Sequence, residues 1–106
     1  MRVIDARGLS TAPLDAVRDF GERHVDEVRA AAPKDSVILF PPADHTHEKW
    51  RLAMVQELAR EAVPGRVNAI VGSEEAAIAE VRSFLARAPG VTGQIFTTNG
   101  NRDDNR

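Results

Sequence analysis

Cysteine is absent from all 106 residues and so is tyrosine, while lysine occurs twice, at Lys34 and Lys49. Without cysteine there is no disulfide framework, no Cys-type structural zinc site and no thiol nucleophile, a composition at home in a reducing compartment. No run of 18 or more apolar residues occurs, so no membrane span is expected. An excess of basic charge is lacking too: 14 Lys and Arg stand against 16 Asp and Glu, a net charge of −2, and the two signs are interleaved. That pattern gives a phosphate backbone no positive footprint, and no nucleic-acid partner is expected. The N-terminus also lacks a basic segment followed by a long apolar one. Met1-Arg2-Val3-Ile4-Asp5 goes directly into a strand-like run, so no signal peptide is expected and the cytoplasm is the default location.

What remains is the composition of an ordinary globule of one domain with a single modest core. Strand one is expected at Arg2 to Ala6, closed by Arg7-Gly8. Ser10-Thr11-Ala12-Pro13 then reads as a helix entrance, because proline is tolerated in the first turn. Leu14, Val17, Phe20 or Gly21, Val25 and Val28 recur at helical spacing, and Pro33 ends that helix. The unbroken run Ser36-Val37-Ile38-Leu39-Phe40 predicts a strand covered on both faces, stopped by Pro41-Pro42. Asp44 or Thr46 caps the next helix by accepting a bond from a free backbone amide, and Glu48 suits its positive end. Trp50, Ala53, Met54, Leu58 and Ala62 form its apolar stripe, widened by Leu52, Val55 and Ala59. A stripe that wide predicts contact on more than one side.

Val67 to Val71 is a third strand, ended by Gly72. Ser73 with Glu74 and Glu75 reads as the cap and first turn of a third helix whose inward residues are Ala77, Ile78, Val81, Phe84 and Leu85. Gln94 to Thr98 is the last strand, and residues 99–106 are expected to be a disordered polar tail. Strands and helices alternate β-α-β-α-β-α-β, which predicts an α/β domain over residues 1–98 with a four-stranded parallel sheet and right-handed crossovers.

Between Pro13 and Gly100 the chain resembles the C-terminal half of a short-chain dehydrogenase/reductase. The helix Lys49 to Glu61 is similar to the family's catalytic helix, and Gly65-Arg66-Val67-Asn68-Ala69-Ile70 to its sixth strand. Ser73 to Ala86 is similar to the helix that follows, and Val91-Thr92-Gly93-Gln94-Ile95-Phe96 with Gly100 to the final strand. The resemblance implies a three-layer Rossmann-like fold, strands in sequential order, the first two helices on one face and the third on the other. Strand one would then be a sheet edge. On this alignment the chain begins at the family's fourth strand. No Gly-x-x-x-Gly-x-Gly or Gly-x-Gly-x-x-Gly occurs to let a pyrophosphate approach a helix N-terminus, so no cofactor is expected.

The family's chemistry uses a tyrosine, a lysine four residues later, a serine and an asparagine. That frame falls on His45-Thr46-His47-Glu48-Lys49: Lys49 is kept, His45 stands at the tyrosine position, Pro41 or Pro42 at the serine position, and no asparagine precedes Asn68. The family's substrate-covering lid is missing between Gly72 and Ser73. His45 and Lys49 are thus weak catalytic candidates. His45 and His47 are weak metal candidates, since in a helical turn their side chains diverge by about 200°. His24 reads as a structural histidine, and Asn68 is expected to bond backbone at a strand end.

The helices matching Leu14 to Ala32 and His47 to Val63 form the family's usual dimer face, so Trp50, Met54, Leu58, Val17 and Val25 are interface candidates. Two readings follow. One is a non-catalytic module, a pseudoenzyme that forms a homodimer or docks onto a full-length reductase-like protein. The alternative is a ligand-binding domain or atypical enzyme at the carboxyl ends of the strands, lined by Pro41, Pro42, His45, Lys49, Gly72 and Ser73. A domain fragment with no separate role is a third.

Overall fold

The structure is a computed structural model that describes residues 1–98; the expected tail at 99–106, and Gly100 with it, lies outside the described residues. Four strands, β1 (Arg2–Asp5), β2 (Ser36–Phe40), β3 (Val67–Val71) and β4 (Ile95–Thr97), form one parallel sheet in the order β1-β2-β3-β4. In register, Val3 lies beside Val37, Ile38 beside Ala69, and Ile70 beside Phe96. The sheet order and the edge position of β1 are those the family resemblance implies.

Because successive residues of a strand point to opposite faces, the sheet divides its apolar residues between two cores. Ile4, Ile38, Phe40, Val67 and Ala69 face α1 (Pro13–Arg23), α2 (Val25–Ala31) and α3 (Glu48–Ala62). Val37, Leu39 and Ile70 face α4 (Glu75–Ala86), which contributes Ile78 and Leu85. All five residues of β2 are buried because helices cover both of its faces. Among the described residues no helix is long and apolar enough to cross a membrane.

Three details depart from the periodicity. The first helix divides at His24, whose φ of −120° takes it out of the helical region; its Nδ1 lies 2.8 Å from the Glu27 carboxylate in the first turn of α2. Leu14 is 85% exposed, since the inward face of α1 is centred on Ala16 and Phe20, one turn apart. On α3 the buried line is Arg51, Val55, Leu58, Ala59 and Ala62, so Ala53 and Leu52 turn outward and the stripe is displaced by about one residue from the expected one. Ser73 does not cap α4; Glu74 holds the cap position without a side-chain bond.

The amino ends of the strands are tied together by polar side chains. Asp35 Oδ2 accepts from Arg66 Nε at 3.0 Å and Nη2 at 2.6 Å, and its Oδ1 accepts from the Arg66 backbone N–H at 2.9 Å. Arg66 Nη1 also donates to the carbonyls of Leu85 and Ala88 at the end of α4. The guanidinium holds the Asp35 carboxyl below the usual carboxylate range. Asn68 donates to Val91 O and accepts from Gln94 N–H, the backbone bonding expected of it. Gly93, at φ +73°, makes the turn into β4 that an L side chain would strain.

Candidate functional site

The carboxyl end of the sheet is where open α/β folds place their sites. There β2 stops at Pro41-Pro42, and Asp44 accepts bonds from the backbone N–H and the hydroxyl of Thr46. Those two donors hold its carboxyl below the usual range. The capping bond shapes a single 3₁₀ turn, His45–His47, that leads into α3.

This turn separates the two histidines. His45 is exposed, as is Lys49, and neither side chain makes a hydrogen bond or ion pair among the described residues. His47 is 2% exposed: its Nε2 lies 3.0 Å from Thr11 O, and its Nδ1 accepts from Trp50 Nε1–H at 3.0 Å. A carbonyl needs a donor, so Nε2 carries the proton and Nδ1 the lone pair. Both ring nitrogens are thereby occupied, and the imidazole acts as a strut between α3 and the segment before α1. Among the described residues no group of three or more His, Asp or Glu could hold a metal ion.

The Trp50 ring sits 5.8 Å from Phe20 and 5.6 Å from Phe40, centroid to centroid. The fold therefore draws this indole toward the core between α1 and β2. Such aromatic pairs contribute about 1 kcal/mol each beyond their burial. Gly72 is buried under Thr98, whose hydroxyl donates to Val71 O at 3.1 Å. A Cβ at Gly72 would collide with that hydroxyl, so this part of the edge is closed by packing. Ser73 is exposed. Only Gly72, Ser73 and Glu74 separate β3 from α4, so nothing there forms a lid.

The residue missed by the sequence reading is Arg51. It is 5% exposed, its Nη1 donates to Pro41 O at 3.0 Å, and its guanidinium lies 4.7 Å from the centre of the Phe40 ring. Its Nε–H is sealed from solvent and has no acceptor. Burial pushes its pKa below that of a free guanidinium, yet among the described residues no carboxylate pairs with it. An unsatisfied buried donor costs about 1–3 kcal/mol, and the cation–π contact offsets about 1–2 kcal/mol of the desolvation. The signal for it was its spacing: Arg51, Val55, Leu58 and Ala62 follow a regular helical line. Beside Arg51 lies a cavity of about 380 Å³, between Asp44, Glu48 and Leu52 on one side and Val71, Ile95 and Thr97 on the other.

A second concavity, of about 440 Å³, runs along the outer face of α2 and α3. Val25, Met54 and Leu58 form its floor, and Arg29, Glu57, Arg60 and Glu61 its rim. Arg29 pairs with Glu61 at 2.8 Å and Arg60 with Glu57 at 2.5 Å. Of the five interface candidates, Met54, Leu58 and Val25 meet here, Val17 is half-buried on α1, and Trp50 packs inward.

A family model described as a short chain dehydrogenase-like protein matches residues 4–98. No curated protein and no solved structure matches the chain.

Proposed function

The chain belongs to the short chain dehydrogenase-like family, and from that membership we propose that it is a non-catalytic Rossmann-like module that acts by pairing with a second copy through the α2–α3 face. The single observation that carries the reading is the make-up of that face. An apolar floor of Val25, Met54 and Leu58 is rimmed by two arginines and two glutamates. A two-fold axis sets each rim against its own copy, and a rim with two residues of each sign is self-complementary when an arginine falls opposite a glutamate across that axis. The same face suits docking onto a full-length reductase-like protein, whose corresponding helices would present a similar surface.

The chemistry at the carboxyl end of the sheet supports the non-catalytic part of the reading. The position that resembles the family's tyrosine is His45; it and Lys49 are exposed, and among the described residues neither side chain makes a hydrogen bond or ion pair. Proton transfer to a reacting group needs a donor and an orienting partner within hydrogen-bond reach.

Light scattering over a concentration series, alone and with saturating nicotinamide dinucleotide, tests this. The expected result is a dimer whose mass the dinucleotide does not change, and which Met54→Glu converts to monomer. A species that stays monomeric at high concentration and captures no related reductase overturns the pairing, and a chain that binds the dinucleotide overturns the non-catalytic part.

A further inference from the structure

The cavity beside Arg51 shares no lining residue with the α2–α3 groove, so what it does is separate from self-association. Its 380 Å³ is at the small end of the range of small-molecule sites. Three observations define its chemistry. First, its cation is only 5% exposed and carries one sealed Nε–H with no acceptor among the described residues. Second, the only protein acceptor of this guanidinium among the described residues, Pro41 O, is taken by Nη1, which leaves the Nε–Nη2 edge, the side that a carboxylate grips with two parallel bonds. Third, Leu52, Val71 and Ile95 supply an apolar wall, while the carboxylates of Asp44 and Glu48, both exposed, stand at the solvent side.

We propose that this cavity binds a small monocarboxylate with an apolar body, its carboxylate taken by the free edge of Arg51 and its body lying against Leu52, Val71 and Ile95. Because Nε–H is sealed in the free protein, a carboxylate grips both nitrogens only if the guanidinium shifts on the Phe40 ring, so ligand binding is expected to move that stacked pair. The charge of the lining selects the class. A phosphate or a dicarboxylate would bring a second negative charge toward Asp44 and Glu48, whereas a single carboxylate is neutralised at Arg51 and leaves its body to the wall of Leu52, Val71 and Ile95. A free carboxylic acid and an amino acid share this chemistry, the second presenting an ammonium that Asp44 and Glu48 tolerate.

The test is a nitrogen–proton NMR titration of the full chain at neutral pH and low salt with phenylacetate, 2-phenylethanol and phenylalanine. Phenylacetate is expected to give saturable shifts at the amides of Leu52, Val71, Ile95 and Thr97. The neutral alcohol is expected to bind roughly tenfold more weakly, as loss of one charge-assisted interaction requires. Phenylalanine binding as well as phenylacetate assigns the site to amino acids, and weaker binding assigns it to simple acids. In Arg51→Met the preference for acid over alcohol should vanish. Should that variant fail to fold, the acid and alcohol on the unsubstituted protein decide the matter alone. Equal binding of acid and alcohol, or no saturation by about 50 mM, well above the millimolar range that so small a ligand reaches, overturns the proposal.

Discussion

Two arginines, one at each end of the sheet, are held in opposite ways. At the amino ends Arg66 has as acceptors the Asp35 carboxylate, the Leu85 carbonyl in the last turn of α4 and the Ala88 carbonyl just past it. Its side chain is 13% exposed and the carboxylate 33%. At the carboxyl ends Arg51 is more deeply buried, yet has one carbonyl and an aromatic face. Among the described residues, the amino end leaves only a neutral hydroxyl without a partner, Ser36 Oγ, whereas the carboxyl end leaves a donor of a charged group. The amino end joins β2, β3 and α4 and, among the described residues, has only the buried Ser36 hydroxyl left unbonded. The unsaturated end is where a ligand would relieve an existing cost.

The comparison breaks most visibly at Arg66. Replacing it by methionine in Arg66→Met strips Asp35 of its partner and frees the end of α4, and should lower stability by about 2–3 kcal/mol, somewhat less than a fully buried pair because Asp35 is partly solvated. Urea denaturation measures it, and a loss under about 1 kcal/mol would mean that the amino end is not the brace inferred here.

Acid sharpens the same contrast. The Asp35 carboxyl is held low by Arg66 and that of Asp5 is lowered to about 2 by Arg7. A depressed carboxyl contributes stability above its unfolded value, about 3.9, and loses it as pH falls through the folded value. Urea midpoints should therefore hold down to about pH 4 and drop toward pH 2, the Asp5 share fading in high salt because that pair is exposed. Asp35→Asn should lower the neutral plateau and flatten the acid limb. An unchanged limb in that variant would remove Asp35 from the account.

The smallest effect is expected at the residues that look most reactive. His45→Ala and Lys49→Ala touch exposed side chains without partners, and each should change stability by less than about 0.5 kcal/mol. A larger loss in thermal denaturation would show that this turn carries structural weight beyond the Asp44 cap.

The alternation of strands and helices was legible in the sequence because its signals are local, and the strand order followed from the family resemblance. Val37 to Phe40 form an apolar run without a polar break, and Pro41-Pro42 forbid continuation. The candidate site was much less so. His45 and His47 are equally polar in the sequence, yet one faces water and the other is locked between Thr11 and Trp50. His47 becomes a strut because a carbonyl 36 residues earlier in the chain lies within reach.

Composition and periodicity by themselves determined the element order, the parallel sheet, the two-sided cover of β2 and the lack of tyrosine and cysteine chemistry, since each depends on neighbours a few residues apart. Only the tertiary structure decided that Arg51 would be buried with no counter-charge among the described residues, that Trp50 would turn toward Phe20 and Phe40, and that Arg66 would brace α4. The physical reason is that the state of a polar side chain depends on which acceptors stand within about 3 Å of it, and those come from strands and helices that meet only when the sheet is assembled.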